Sequence, residues 1–175
     1  MRKLKNEELD RLSVEEFKKT EKIPIVVVLD NVRSMNNIGS VFRTSDAFLI
    51  EKIVLCGITA TPPNKEIHKT ALGSTESVEW VYVEDTIDAI EDLKKDDFQI
   101  VSVEQAEGSV FLNELKILHD QKYAIVIGNE VKGVQQKVVD ASDMVLELPQ
   151  HGTKHSLNVS VCTGIVLWEF FKVLK

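Results

Sequence analysis

The stretch Ile25-Val-Val-Val-Leu29 is a β-branched, aliphatic run preceded by Pro24, and it is long enough for a strand but too short for a helix. Similar apolar runs recur further along the chain, at residues 53–56, 78–83, 98–103, 123–127 and 144–148. Helical patterns lie between most of them, at residues 38–48, 86–95, 134–141 and 157–174. Continuously apolar strands that alternate with helices indicate a mainly parallel sheet with helices on both faces. The sequence therefore predicts an α/β fold with about six strands.

The chain is expected to form one domain with a short extension at its N-terminus. Residues 6–19 have a helical pattern, and Ser13-Val-Glu-Glu16 is typical of a capping box, which would divide this segment into two short helices. Pro62 and Pro63 predict a loop over residues 59–64, because consecutive prolines cannot continue a helix or a central strand. We therefore expect residues 1–22 to be a helical extension and residues 23–175 to be the domain itself.

Composition limits the classes of protein to which the chain can belong. With 175 residues, of which 43% are hydrophobic, it can bury a hydrophobic core without disulfides or a structural metal. Cys56 and Cys162 form no metal-binding or disulfide pattern, so we expect no metal and a reducing, cytoplasmic setting. The charged N-terminus has no targeting pattern, and the apolar runs are too short to span a bilayer, so no membrane partner is expected.

The overall charge is acidic, with a formal net charge of −7 and a pI near 5.2. This balance argues against a protein that is covered in positive charge, which is the usual first indication of nucleic-acid binding. Local binding remains open, because only the cations that touch phosphates contribute to it. Arg33, Arg43, Lys132 and Lys154 lie in or beside the predicted loops.

Three polar loops follow predicted strands, at the edge of an open α/β sheet where ligands bind. The first contains Asn37, Gly39 and Arg43, whose spacing places Asn37 and Gly39 in the opening turn of a helix and Arg43 near the same face as Gly39. Gly39 would allow another backbone or a ligand to approach closely. Arg43 has two interpretations: a buried salt bridge, or a guanidinium that holds phosphate or developing negative charge.

The second loop is Gly128-Asn-Glu-Val-Lys-Gly133. It lacks the Lys and Ser or Thr that must follow the second glycine of a phosphate-binding P-loop, so nucleotide binding of that kind is excluded. The loop presents free backbone groups and one acid, Glu130, which could also be a helix N-terminal acid favoured by the helix dipole.

The third loop is Leu148-Pro-Gln-His-Gly-Thr-Lys-His-Ser-Leu-Asn-Val-Ser-Val161, which closes a strand and begins an apolar helix. Ser156 and Asn158 stand at the helix start, where the backbone N–H groups are unpaired. Either side chain could cap the helix or point at a ligand.

Taken together, the three loops resemble the signature motifs of the SpoU (TrmH-like) family of SPOUT RNA methyltransferases. The matching segments are Asn37 to Arg43, Gly128 to Gly133, and Pro149 to Val161. The resemblance implies transfer of a methyl group from S-adenosylmethionine to a ribose 2′-hydroxyl of tRNA or rRNA. It also implies a C-terminal trefoil knot and a homodimer, and it makes residues 23–175 a SPOUT-type methyltransferase domain.

The same resemblance implies roles for particular residues. The expected cofactor contacts are Gly128, Leu148, Ser156 and Leu157, and the expected RNA contacts are Arg33, Asn37 and Arg43. The positions that match the family's functional residues, and are expected to be catalytic, are Arg43, Glu130, Ser156 and Asn158. Because a guanidinium is effectively never deprotonated, we expect Arg43 to stabilise negative charge, with Glu130 and Asn158 holding Arg43 and the adjacent loop.

Two other interpretations remain open. One is a non-catalytic RNA- or cofactor-binding protein of the same fold, and the other is an α/β enzyme for a different nucleotide ligand. The last helix bears on assembly, because its apolar residues occupy more than one face. A helix that lies on a sheet needs to bury only one stripe, so a partner subunit is expected to cover the rest.

Overall fold

The computed structural model describes residues 1–175, apart from the side chain of Asn6. Its centre is a single sheet with the strand order β3-β2-β1-β6-β4-β7-β5, in which every pairing is parallel. The strands are β1 Ile23–Asp30, β2 Ile50–Cys56, β3 Glu79–Val83, β4 Phe98–Val103, β5 Val110–Phe111, β6 Lys122–Ile127 and β7 Met144–Glu147. The parallel α/β prediction is confirmed. The strand count was one too low, because β5 has only two residues and leaves no pattern in the sequence.

Seven α-helices connect the strands or flank them in the described chain. They are α1 Val14–Lys19, α2 Met35–Ala47, α3 Lys65–Ala71, α4 Ser74–Ser77, α5 Thr86–Lys95, α6 Gln136–Ala141 and α7 Val159–Leu174. Short 3-10 turns cover Asn6–Glu8 and Leu112–Glu114. The capping box at Ser13 is present, so the N-terminal helical segment is divided in two, as its sequence indicates.

Helices cover both faces of the sheet. Along β1, Ile25, Val27 and Leu29 face one core, which also contains residues of α2, α3 and α7. Val26 and Val28 face the other core, which contains residues of α5 and α6. This alternation, with both sets fully buried, explains why β1 reads as a continuous apolar run instead of alternating with polar residues.

Several elements differ from expectation. Helix α2 begins at Met35, three residues earlier than predicted, because Ser34 is its N-cap, and β2 begins at Ile50, three residues before its apolar run. The loop over residues 59–64 is confirmed, but the short helices α3 and α4 after it were not predicted, because neither is long enough to show a strong helical period. Helix α7 begins two residues later than predicted, because Asn158 is its N-cap. Helix α6 also begins later, at Gln136.

The segment before β1 packs against the rest of the chain. Phe17 of α1 is buried in the core that α2 and α7 share, and α1 packs beside α4. Among the described residues, no helix is both long and apolar enough to cross a membrane.

Candidate active site

Three side chains, one from each polar loop, are joined by hydrogen bonds. Asn37 of α2 donates its Nδ2 to Glu130 at 3.0 Å and accepts a bond from Nδ2 of Asn158 at 3.1 Å. The loops follow β1, β6 and β7, which end at the same edge of the parallel sheet. The structure thus brings together segments that are about a hundred residues apart in the sequence. We call Glu130, Asn37 and Asn158 the motif bridge.

The Glu130 side chain lies at the N-terminus of α2, the helix that begins in the first polar loop. Its carboxylate accepts bonds from the backbone N–H groups of Arg33 and Ser34, each at 2.9 Å, immediately before α2. Ser34 is the N-cap of α2, where backbone N–H groups have no partner within the helix. Burial raises the pKa of the Glu130 carboxyl, but its hydrogen bonds with Arg33, Ser34 and Asn37 outweigh burial and hold the pKa below its ordinary value.

Asn158 both caps α7 and extends the motif bridge. Its Oδ1 accepts bonds from the N–H groups of Ser160 at 2.9 Å and Val161 at 3.3 Å, which leaves Nδ2 for Asn37. The cap expected at this turn is therefore Asn158. Ser156 instead lines a neighbouring cavity.

A cavity of about 290 Å³ opens beside the motif bridge. Its walls include all four residues expected to contact a cofactor: Gly128, Leu148, Ser156 and Leu157. Three carboxylates also line it, and they belong to Glu104, Glu130 and Glu147. The only lysine among the cavity's described lining residues is Lys132. This excess of negative charge favours a ligand that carries a positive group.

The loop after β6 is held in a tight closed shape. Backbone bonds join Asn129 and Gly133 in both directions, at 3.0 and 2.9 Å, and Oδ1 of Asn129 accepts a bond from the N–H of Lys132 at 3.0 Å. A Cβ atom on Gly128 would lie 2.2 Å from the carbonyl carbon of Gly133, so no larger residue fits at that position without movement. Gly133 has a φ of +68°, which favours glycine. Both glycines of the motif are therefore needed for the shape of the loop.

Arg43 lies on α2 and is exposed to solvent. The structure gives it no salt bridge or hydrogen bond with any described residue, so its interpretation as half of a buried salt bridge is wrong. The expectation that Glu130 and Asn158 hold it is also wrong, because they bind the backbone before α2, Asn37 and the start of α7. Without an acid beside it, the guanidinium stays in water, where its charge is solvated.

Gly39 and Arg43 do not share an environment, although they are four residues apart. Gly39 is buried against α3, where a Cβ atom would lie 2.3 Å from the carbonyl oxygen of Ile67 and 2.2 Å from Oγ1 of Thr70. Gly39 thus allows the backbone of α3 to approach closely. The sequence had left open whether a backbone or a ligand would do so. Gly39 therefore sets the distance between α2 and α3.

The residues expected to contact RNA differ in accessibility. The Arg33 side chain is exposed beside the cavity's outer loop. Asn37 is only 8% exposed, and both ends of its amide are bonded within the protein. Contact between RNA and the Asn37 side chain would therefore displace part of the motif bridge.

Sequence reasoning missed several residues that support the site. Asp30 is fully buried at the end of β1, where it accepts bonds from Thr86, from Asn31 and from the backbone and side chain of Gln135. Glu104, after β4, accepts a bond from the N–H of Val134 at 2.9 Å. An acid that ends an apolar strand was a visible signal for Asp30, since buried carboxylates require partners.

A hydrogen bond from the Gln105 side chain holds the third loop beside the cavity. Nε2 of Gln105 donates to the carbonyl oxygen of His155 at 2.9 Å, and both residues line the cavity. Residues 151–158 are otherwise exposed, so this bond is one of their few attachments to the sheet edge. Nothing in the sequence indicated it, because it joins a side chain to a backbone atom fifty residues away.

Comparison with known proteins gives relatives over most of the chain. A Borreliella burgdorferi protein named "Uncharacterized tRNA/rRNA methyltransferase" is 31% identical over 93% of this chain and 69% of its own length. The Aquifex aeolicus tRNA (guanosine(18)-2'-O)-methyltransferase is 32% identical over 83% of this chain and 67% of its own.

The chain is also similar to RNA methyltransferases in its structure. The AdoMet-bound rRNA methyltransferase from Sinorhizobium meliloti superposes with a TM-score of 0.81 and 27% identity, over 91% of this chain and 60% of that one. This chain thus spans about two thirds of the length of these relatives. The SpoU rRNA Methylase family matches residues 24–168, which include all three polar loops, and the chain belongs to that family.

Proposed function

We propose that this protein transfers the methyl group of S-adenosylmethionine to a ribose 2′-hydroxyl of tRNA or rRNA. The observation that carries the proposal is the motif bridge, which joins the three family motifs beside a cavity lined by the four expected cofactor residues. The names of the relatives, which include a tRNA 2′-O-methyltransferase and an AdoMet-bound rRNA methyltransferase, support the same reaction and the same cofactor.

The cavity fits S-adenosylmethionine in its chemistry. Leu148 and Leu157 provide apolar walls, Gly128 exposes backbone, and the three carboxylates favour a cationic ligand. When bound, the cofactor would supply a methyl group already activated by its sulfonium. The residues present would hold it mainly through backbone and apolar contacts. The carboxylates of Glu104 and Glu130 already accept bonds from protein N–H groups, so they would act chiefly through their charge.

For this reaction the protein must mainly position the reacting groups and stabilise the negative charge that develops on the ribose oxygen. A bond forms between the ribose 2′-oxygen and the methyl carbon, the carbon–sulfur bond breaks, and the hydroxyl proton leaves to phosphate or water. Arg43 would stabilise the developing alkoxide or the neighbouring phosphate, since its guanidinium has no competing partner in the described chain. Glu130 and Asn158 would act as positioning residues, because they fix the start of α2, the helix that carries Arg43.

A second subunit is part of the proposal. Val161, Ile165 and Trp168 of α7 are 52%, 41% and 48% exposed and lie at the spacing of one helix face. An exposed apolar stripe of this kind favours an interface between copies of the chain. Replacement of Ile165 by Lys should convert a dimer to a monomer in sedimentation velocity, and a wild-type chain that sediments as a monomer at micromolar concentration would contradict the dimer.

Three further features stay within this proposal. The family match supports a trefoil knot near the C-terminus. Its start at residue 24 supports a methyltransferase domain over residues 23–175 with residues 1–22 as an extension. A cytoplasmic setting is supported by the two free cysteines. Burial raises the pKa of the Cys162 thiol to about 11 and that of Cys56 to about 12, so both remain protonated at neutral pH.

The experiment is methyl transfer from labelled S-adenosylmethionine to unfractionated tRNA and, separately, to rRNA, followed by mapping of the modified nucleotide. Label in a ribose that resists alkaline cleavage on its 3′ side would support 2′-O transfer. Label in a base would contradict it. Binding of the cofactor without transfer to either RNA would instead favour the non-catalytic interpretation.

A further inference from the structure

A second cavity, of about 800 Å³, lies at the β3 edge of the sheet and belongs to none of the three motifs. Its apolar walls are the Trp80 ring and the prolines Pro62 and Pro63. Trp80 packs against the main core but remains partly exposed, because β3 is an outer strand with no neighbour on its far side. An indole and two proline rings that are left open to solvent provide flat apolar surfaces suited to a planar ligand.

The rim of this cavity carries two polar side chains that are available to a ligand. Lys65 and His68 line it, are exposed, and have no ion pair or hydrogen bond with any other described side chain. Lys69 is different, because it pairs with Glu66 at 2.7 Å. Proteins that bind single-stranded nucleic acids combine such residues: bases stack on the aromatic ring, and lysine and histidine side chains contact phosphates.

Glu76, also on the rim, narrows the class of ligand. Its carboxylate would repel a ligand that is only a polyanion, but it can accept a hydrogen bond from an N–H on the edge of a base. The cavity therefore suits a base with its phosphate better than a free phosphate or polyphosphate.

The cavity lies next to the helix that carries Arg43. Helix α3, which contributes Lys65 and His68, packs against α2 through the close approach at Gly39. On its other side, α4 packs beside α1, where Lys18 and Lys19 are exposed. Exposed lysines are thus present on α3 and on α1, both of which pack against α4.

We propose that the Trp80 cavity binds an unpaired nucleotide of the RNA substrate, with the base stacked on Trp80 and its phosphate at Lys65 and His68. The inference rests on the proposed function for the identity of the RNA. It adds a substrate-binding site outside the cofactor cavity and the motif bridge.

The first experiment is steady-state methyl transfer to tRNA or rRNA with Trp80→Ala, Trp80→Phe and Phe111→Ala. Trp80→Ala should raise KM for RNA about tenfold and leave kcat and calorimetric affinity for S-adenosylmethionine unchanged, since stacking contributes to binding alone. Trp80→Phe should retain most of the affinity. Phe111→Ala, which removes an exposed aromatic ring at the opposite edge of the sheet, should change nothing. An unchanged KM in Trp80→Ala would overturn the inference.

A second measurement does not depend on turnover or on whether Trp80→Ala folds. The chain has two tryptophans, so Trp168→Phe leaves Trp80 as the sole indole. A single-stranded oligoribonucleotide of about ten nucleotides should quench its fluorescence, and Lys65→Gln with His68→Gln should weaken that quenching. Equal quenching by tripolyphosphate, or none by RNA, would overturn the inference. Quenching without methyl transfer by the wild type would refute the proposed function but keep this site.

Discussion

Nδ2 of Asn158 lies 3.1 Å from Oδ1 of Asn37 and joins the start of α7 to α2 across 121 residues of sequence. The same Asn158 side chain caps α7 through its other atom, so one residue contributes both to stability and to the shape of the site. These two contributions are separable by substitution.

Asn158→Ala should lose both contributions. We expect the free energy of unfolding to fall by about 1–2 kcal/mol, which is typical for loss of an N-cap, and methyl transfer to fall at least about tenfold. Asn158→Ser retains a good cap but is too short to reach Asn37. It should lose little stability and as much activity as Asn158→Ala, as measured by urea unfolding and by kcat. Wild-type turnover in Asn158→Ser would show that the bond to Asn37 has no role in catalysis.

Glu130→Gln should make stability less dependent on pH. The pKa of Glu130 is lowered in the folded protein, so its contribution is present above the ordinary value of 4.5 and is lost as pH falls through the lower folded pKa. At pH 7 the variant should be less stable by about 1–3 kcal/mol, because hydrogen bonds to a charged group are replaced.

The measurement is urea unfolding of both proteins at a series of pH values. The difference between them should shrink as the solution is acidified below 4.5. Subtraction of the two curves removes the effect of other acids with lowered pKa values, such as Glu16 and Asp85. Glu107→Gln, at an exposed acid outside the bridge, is the matched control. A constant difference across the range would show that the charge of Glu130 does not hold the start of α2.

Arg43→Lys and Arg43→Ala should reduce methyl transfer without loss of stability. The side chain is exposed and has no bond in the described chain, so the unfolding free energy should change by less than about 0.5 kcal/mol. Single-turnover rates should fall at least about a hundredfold if the guanidinium stabilises developing charge. Arg11→Lys, at another exposed arginine, is the control. A near-normal rate in Arg43→Lys, with unchanged RNA affinity, would rule out a specific guanidinium role.

Gly128→Ala should distort the loop after β6 and weaken cofactor binding. A Cβ atom there would overlap the backbone of Gly133, and overpacking of this kind costs about 1–3 kcal/mol. Gly152→Ala is a matched control, because a Cβ atom at that glycine meets nothing within 4 Å. Calorimetry with S-adenosylmethionine should show weaker binding for Gly128→Ala only. Equal affinities in the two variants would mean that the loop adapts to the added methyl group.

Much of the fold was predictable because its signals are local. Strand β4 and helix α5 have the boundaries that the sequence predicts, since an apolar run and a strong helical pattern are readable within a few residues. Strand β5 and helices α3 and α4 were missed because each is too short to carry a period. They are stabilised by neighbours that are distant in the sequence.

The candidate site was predictable to a smaller extent. The motifs identified the loops, and the residues expected at the cofactor do line one cavity. The partners of Glu130 were not predictable, because a carboxylate can bond to any nearby donor and only the tertiary structure selects the backbone before α2 and Asn37. For the same reason Arg43 was expected to have partners that it lacks within the described chain.

The motif bridge has a direction. An ionised Glu130 can only accept, so Asn37 must turn its NH₂ group toward the acid and its oxygen toward Asn158. Asn158 must then present its own NH₂ group to Asn37, which leaves its oxygen for the N–H groups of α7. The orientation of the two amides is therefore fixed from both ends, by the carboxylate of Glu130 and by the N–H groups of α7. Protonation of Glu130 would weaken its bonds to the start of α2 and to Asn37, but the N–H groups of α7 would still hold the oxygen of Asn158 and, through its NH₂ group, the oxygen of Asn37.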